Sequence, residues 1–460
     1  MSPFSVITPM SIRSIFAWLV SIAVAAMAVE PPSATTEAAD RQAQALAQAG
    51  VQLVSTNVHP EAQWFPAAGL GLFIHWGLAS AGAVGDISWC MLANKPWKDA
   101  TVTPRAYFGW AKDWRPDRLD LDGTLALAKA AGATYAVMVA KHHDGFTLWP
   151  SAYGDLGTKQ FLGGRDFVRE YVVAARKHGL KVGIYYSPPD WWFDRQYRSF
   201  AFSGPALDMD HRPLVLPPKP ADHDAKRGEL LRGHIRELLT NYGRIDLLWF
   251  DGGRGQEIDN AEVRRLQPGI VINRRNGPDG DYGDTEGKLP EKRFSGWFES
   301  CLTCWPATKW SYVEGDGYNT AAEVLSKLIK LRAWGGNLLA NLGPKGDGSL
   351  PKPTTDALQD MAGWMAHSRE SVIGAGAGPW PEQVNVPVTT RPGVAYLHLL
   401  PGETAPVVWR KAPRPVTARL LRTGEEVNFL YADGALTIEV PAAMRSPLPE
   451  VIRLELAQEH

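Results

Sequence analysis

The sequence predicts a (β/α) barrel followed by a smaller antiparallel β-domain. Three observations predict it. Short apolar runs without polar alternation recur through residues 51–378, as buried parallel strands do. Amphipathic stretches with a 3.6-residue period separate them, and beyond about Pro379 those helical patterns stop. Over roughly 320 residues, repeated βα units fit a closed barrel best, with a doubly wound sheet as the alternative.

From the N-terminus, Arg13 precedes an apolar run, Ser14 to Ala28, that ends in small residues. This pattern predicts a secretory signal peptide at residues 1–28; the run is short for a spanning helix, and its Ala-Met-Ala end favours cleavage over an uncleaved anchor. Residues 29–50 are rich in Ala, Glu and Gln and predict a linker. Strands are expected at Leu70–His75, Tyr135–His142, Lys181–Ser187, Asp246–Asp251, Ile270–Asn273 and Asn337–Leu342. Helices are expected at Leu121–Ala131, Phe167–His178, Lys226–Tyr242 and Ala321–Trp334, the second ended by Gly179 as its C′ residue. Residues 379–460 carry runs such as Val394–Leu400, Ala418–Leu421 and Leu436–Val440, bounded by Gly, Pro and Asp, and predict the β-domain.

Bulk composition narrows the function. The chain of 460 residues is 45% hydrophobic with a formal charge of −1, which gives no reason to expect nucleic acid or an anionic membrane as partner. No stretch beyond the N-terminal run is apolar enough to span a bilayer, so the mature protein is expected to be soluble and exported: secreted or periplasmic, or lysosomal in a eukaryote. Eighteen Trp is high for this length and suits the apolar faces of sugars. Cys301 and Cys304 form a C-x-x-C without the second ligand pair that a structural zinc needs; a disulfide is open, with Cys90 left over.

The strand ends carry the chemistry. Ile245 to Phe250 is an apolar run that stops at Asp251 before Gly252-Gly253, which puts a carboxylate at the C-terminal mouth of a barrel strand, where active sites sit. Other strands end in His75-Trp76-Gly77, Lys141-His142-His143-Asp144, Tyr185-Tyr186-Ser187 and Asn273-Arg274-Arg275. On a continuous strand His142 and His143 point to opposite faces, so both are not expected on one metal. Gly252-Gly253-Arg254-Gly255 does not complete a dinucleotide fingerprint, and no cofactor is expected. Glycoside hydrolysis needs two carboxyl groups. Asp251 is the first; Glu286, Glu291, Glu299 and Glu314 are candidates for the second. Glu299 is preferred because flanking Trp297 and Phe298 predict burial and a raised pKa, whereas Glu286 and Glu291 fall in a Gly/Lys/Pro-rich stretch expected to be solvated.

These motifs, together with Gly71-Leu72-Phe73-Ile74, Gly145-Phe146 and Gly336-Asn337-Leu338-Leu339-Ala340-Asn341-Leu342-Gly343-Pro344, occur in an order that resembles the α-L-fucosidases of glycoside hydrolase family 29 over essentially the whole mature length. The resemblance implies a (β/α)8-like TIM barrel with a C-terminal β-sandwich. It implies a retaining double displacement on terminal α-L-fucose of a fucosylated oligosaccharide or glycoconjugate, without metal or organic cofactor. By that resemblance Asp251 is the nucleophile and Glu299, in the matching E-x-C segment, the acid/base. The substrate-binding residues are His75, Trp76, Trp89, His142, His143, Tyr185, Trp249 and Arg275. Two positions depart from the family pattern: Ser88-Trp89-Cys90 stands where many members have Glu-Trp-Tyr, and Trp310-Ser311-Tyr312 where Trp-Gly-Tyr is usual. They keep open a related enzyme for α-L-galactosides or sulfated fucosides. A fucose-binding protein without catalysis is the remaining alternative, and the two retained carboxylates argue against it.

Overall fold

The computed structural model describes residues 57–97, 100–252 and 258–457, so the expected signal peptide and the linker at 29–50 lie outside the described residues. Eight strands form the first sheet: β1 (Leu70–Ile74), β2 (Tyr135–Lys141), β3 (Lys181–Tyr186), β4 (Leu247–Phe250), β5 (Val271–Ile272), β6 (Gly283–Glu286), β7 (Phe298–Trp305) and β8 (Asn337–Leu342). Their order is β5-β4-β3-β2-β1-β8-β7-β6, and every pairing is parallel. A parallel bridge between Asn273 and Tyr282 joins the two ends of that order, so the sheet curls round on itself as a TIM-like barrel. Most of these strands are buried on both faces, which is why they lack polar alternation. Strands β6 and β7 escape the apolar-run criterion. The first is Gly-Asp-Thr-Glu, and the second mixes Glu299, Ser300 and Thr303 among its apolar residues.

Helices α1 (Leu121–Ala130), α2 (Phe167–Lys177), α3 (His223–Thr240), α4 (Asn260–Leu266), α5 (Ala321–Ala333) and α6 (Lys352–Ser368) are the longer ones among the described residues. Their starts are sequence-encoded. Asp120, Asp166 and Asp259 each accept from a first-turn backbone N–H, and Thr320 with Glu323 forms a reciprocal capping box. Gly179 follows the α2 cap with φ +63, as its expected role requires. The buried face of α2 includes Val168, Tyr171, Val172 and Ala175, and Tyr171 donates from its hydroxyl to the carbonyls of Ala136 (2.7 Å) and Gly183 (2.9 Å), tying helix to sheet.

Inside the barrel, Gly71 has a particular task. A Cβ there would lie 2.3 Å from the Tyr135 ring, so the absence of a side chain makes room for that ring between β1 and the interior. Beyond α6 the chain forms a five-stranded antiparallel sheet, β13-β16-β11-β10-β9, and a three-stranded one, β12-β15-β14. In chain order these strands are β9 (Gly376–Ala377), β10 (Val388–Arg391), β11 (Val394–Leu399), β12 (Val407–Arg410), β13 (Pro415–Leu420), β14 (Phe429–Ala432), β15 (Ala435–Ile438) and β16 (Glu450–Leu456). Val388, Leu397, Trp409, Leu436 and Ile452 share one apolar core, which makes the two sheets a β-sandwich. It docks on α6, where the Trp364 indole N–H donates to the Pro449 carbonyl at 2.7 Å.

Candidate active site

Asp251 directly follows β4 at the C-terminal mouth of the barrel. Its Oδ1 accepts from Arg275 Nη1 (2.7 Å) and from the Gly252 N–H (2.8 Å), and its Oδ2 accepts from the Tyr185 hydroxyl (2.5 Å). Burial by itself would raise the pKa of this carboxyl, but the charge of Arg275, then His143 and the Tyr185 hydroxyl, outweigh burial and leave the pKa below its usual value. Gly252 is required beside it. Its φ is +74, and a Cβ would come within 2.8 Å of Pro189 and 3.0 Å of His143.

The structure corrects the expectation for the adjacent histidines. Strand β2 ends at Lys141 and the chain then turns through Gly145 (φ +90), so strand alternation no longer governs His142 and His143. Both Nε2 atoms face Asp251 Oδ2, at 4.0 and 3.9 Å. Their Nδ1 atoms are held by Ser88 Oγ and Ser187 Oγ, each at 2.5 Å. His75 is held at Nδ1 by Asn341 Oδ1 (2.6 Å). Burial lowers the pKa of all three imidazoles, that of His75 and of His143 to about 4, so they are neutral near pH 7. His142, His143 and Asp251 bring possible ligand atoms within 4.8 Å of one another. A divalent ion there would sit beside the Arg275 guanidinium already paired with Asp251, an electrostatic conflict that disfavours metal.

Below Asp251 lies Trp249, two residues earlier on the same face of β4. Its ring stacks on Tyr185 (5.5 Å, 16°) and under the Arg275 guanidinium (4.4 Å). With Phe73, His75, Trp89 and Trp310, the residues Tyr185, Trp249 and Asp251 line a cavity of about 350 Å³. Trp89 meets the His143 ring edge-on at 5.5 Å. Trp76 does not join them. With His75 turned inward its neighbour must face outward, and Trp76 packs against Trp114 and Phe167 with its indole N–H on the Lys345 carbonyl (2.9 Å).

The second carboxylate also differs from expectation. Glu299 is the second residue of β7, at the strand's N-terminal end, paired with Asn337 at the start of β8. It is wholly buried under the cavity floor, accepting from Tyr135 (2.5 Å), Trp249 Nε1 (3.1 Å) and Tyr282 (3.4 Å). Burial raises its pKa to about 7, as the flanking aromatics suggested, but Glu299 does not line the cavity that holds Asp251. Glu286 occupies the place expected of Glu299. It ends β6 at the barrel mouth, lines the cavity with Asp251 and accepts from Arg275 Nη2 at 2.7 Å. Asp284, two residues earlier on the same strand face, accepts from the same nitrogen at 2.6 Å. Although 41% of the Glu286 side chain is exposed, desolvation by the cavity wall and the charge of Asp251 raise its pKa against the opposing effect of Arg275. The available signal was the spacing Asp284-x-Glu286, which puts two carboxylates on one face of a strand. Glu291 and Glu314 are exposed and do not line this cavity. Cys90, Cys301 and Cys304 are free, buried thiols, so the C-x-x-C is not a disulfide.

The family model described as alpha-L-fucosidase matches residues 36–370. The plasma alpha-L-fucosidase of Homo sapiens is 26% identical over 443 residues, covering 84% of this chain and 87% of that protein. The solved structure of alpha-L-fucosidase isoenzyme 1 from Paenibacillus thiaminolyticus superposes with a TM-score of 0.74 at 30% identity, over 87% of this chain and 99% of that one. An alpha-L-fucosidase of Bacteroides thetaiotaomicron, solved as a trapped covalent intermediate, shares the fold with a TM-score of 0.72 at 23% identity, over 88% of this chain and 99% of that one.

Proposed function

Because the chain belongs to the α-L-fucosidase family and is a glycoside hydrolase, we propose that it releases terminal α-L-fucose with Asp251 as nucleophile and Glu286 as acid/base. One observation carries the assignment: a single guanidinium, Arg275, binds both carboxylates, and their surroundings move their pKa values in opposite directions. A carboxylate held towards its ionised form, beside one whose hold on a proton is strengthened, is the kind of pair that retaining hydrolysis uses.

In the first displacement an Asp251 oxygen attacks the anomeric carbon while Glu286 gives its proton to the departing glycosidic oxygen. The bond to the leaving group breaks and a fucosyl ester forms. Glu286, now ionised, then takes a proton from water as that water attacks the anomeric carbon, and Asp251 leaves as the carboxylate. Two inversions return the α configuration. The neutral imidazoles of His75, His142 and His143 face the sugar hydroxyls with both donor and acceptor capacity, and Trp249, held between Tyr185 and Arg275, forms part of the pocket wall. Tyr185 and Arg275 hold Asp251 in the attacking position. Glu299 acts from below, orienting the Trp249 indole.

We also infer export, on the apolar run at residues 14–28 and the plasma and tissue enzymes among the relatives. Among the described residues no helix is long and apolar enough to cross a membrane. Hydrolysis of 4-nitrophenyl α-L-fucoside followed by NMR tests the reaction: α-fucose must appear first, and β-fucose as the first product rules out the double displacement. Asp251→Ala must be inactive by itself, and added azide must restore turnover as β-fucosyl azide.

A further inference from the structure

We propose that Trp97 and Phe202 form the subsite for the sugar that carries the fucose, so that the leaving group is a pyranose with an apolar face. The proposal rests on the fucosidase reading and extends it from the bond cleaved to the group released. Trp97 and Phe202 are 37% and 44% exposed, which is unusual for rings of this size, and both line the cavity that contains Asp251. Exposed apolar surface gathered at a cavity mouth marks a binding surface more than scattered surface rings do.

Their rings lie 4.9 Å apart at 80°, and each also approaches Trp89, at 6.3 and 6.5 Å. Trp89 in turn meets His143, so aromatic surface runs continuously from beside Asp251 to the outer rim. The pair is built, not loose. The segment after β1 and the segment after β3 are laced together by Ala93 N–H to Phe200 O (2.9 Å), Phe202 N–H to Ala93 O (2.8 Å) and Ser203 Oγ to Asn94 O (3.0 Å). The Trp97 indole N–H donates to Asp86 Oδ2 at 3.1 Å, which fixes the ring plane. Ring faces held in place ahead of binding cost little entropy to use, and the C–H face of a pyranose is the surface that matches them. Asp86, Thr308 and Lys309 line the same cavity and offer polar partners for the hydroxyl edge of that sugar.

The test compares Trp97→Ala, Phe202→Ala and Trp97→Phe with the wild type on two kinds of substrate. One is a set of disaccharides in which fucose is α-linked to galactose or N-acetylglucosamine at each available position; the other is α-L-fucosyl fluoride, whose single leaving atom cannot reach the rim. Each alanine variant is expected to lose about tenfold in kcat/KM on the best disaccharide, with fluoride hydrolysis changed less than about twofold. Trp97→Phe keeps a ring face and is expected to retain most of the disaccharide rate. Equal losses on both substrates would show that the rings only brace Trp89 and His143, and would overturn the proposal. Unchanged disaccharide rates would overturn it too, as would a wild type that cleaves the fluoride but none of the disaccharides. A wild type inactive on the fluoride removes the fucosidase reading itself, a separate outcome.

Discussion

Replacing Glu286 by glutamine keeps the length of the side chain and a carbonyl oxygen for Arg275, but removes the proton that the departing oxygen needs. Arg275 stays anchored in the variant through Asp284, to which both Nε (2.9 Å) and Nη2 (2.6 Å) donate, so Asp251 keeps its partner and the nucleophile is undisturbed. The loss is then that of acid/base assistance, about 10² to 10⁴ in rate, or roughly 3 to 5 kcal/mol of barrier. It must depend on the leaving group. A fucosyl disaccharide needs protonation and shows the full loss in kcat/KM, whereas 2,4-dinitrophenyl fucoside or the fluoride forms the ester at nearly the wild-type rate and stalls at its hydrolysis. Azide needs no general base, so it accelerates the stalled step and yields α-fucosyl azide. Glu299→Gln is the control. Among the described residues that side chain bonds Tyr135, Trp249 and Tyr282, so its loss should be modest, similar for all leaving groups and unaffected by azide. An azide-rescued, leaving-group-dependent loss in Glu299→Gln with none in Glu286→Gln would refute the assignment.

Stability should report on Glu299 separately. Its folded pKa of about 7 lies above the ordinary 4.5, so the folded state holds the proton more tightly; the associated stability is complete below pH 4.5 and lost as pH rises through 7, by about 3 kcal/mol. Urea unfolding at pH 5 and pH 8 should show that difference in the wild type and much less of it in Glu299→Gln. The pH profile of kcat/KM should rise through the lowered pKa of Asp251 and fall through the raised pKa of Glu286. Tyr185→Phe removes a donor to the ionised carboxylate and should move the acid limb to higher pH without moving the basic one. Gly71→Ala would press a methyl group against the Tyr135 ring at 2.3 Å and should cost about 1 to 3 kcal/mol, seen as a lowered urea midpoint with an unchanged slope.

The barrel was legible wherever burial on both faces makes a strand uniformly apolar, as in β1, β2, β4 and β8. It was illegible where a strand carries the chemistry. Strand β6 is Gly-Asp-Thr-Glu because it presents Asp284 and Glu286 to Arg275, and polar residues near Gly and Lys resemble a loop when only composition is available. Glu299 and Glu286 were hard to tell apart for a related reason. Flanking aromatics do predict burial and a raised pKa, and both hold, but they do not tell the floor of a barrel from its mouth. Depth is set by register, which pairs Glu299 with Asn337 and Glu286 with Cys301. Trp76, expected among the sugar-binding residues, packs instead against Trp114 and Phe167 and does not line the cavity of Asp251.

The carboxylate cluster around Arg275 has a consequence for the kinds of ligand this pocket tolerates. Asp251, Asp284 and Glu286 share one guanidinium, and the three imidazoles nearby carry no charge near neutrality. Two of these carboxylates already outnumber the one guanidinium, and ionisation of Glu286 adds a further negative charge beside Asp251. A sulfate ester on the bound sugar would meet that excess as a like charge, whereas a sugar that gains positive character at its anomeric carbon meets it as a counter-charge. An analogue with a protonated ring nitrogen should therefore bind more tightly as pH rises past the Glu286 pKa and weaken again when the nitrogen loses its own proton, while an anionic analogue should show the reverse dependence on Glu286.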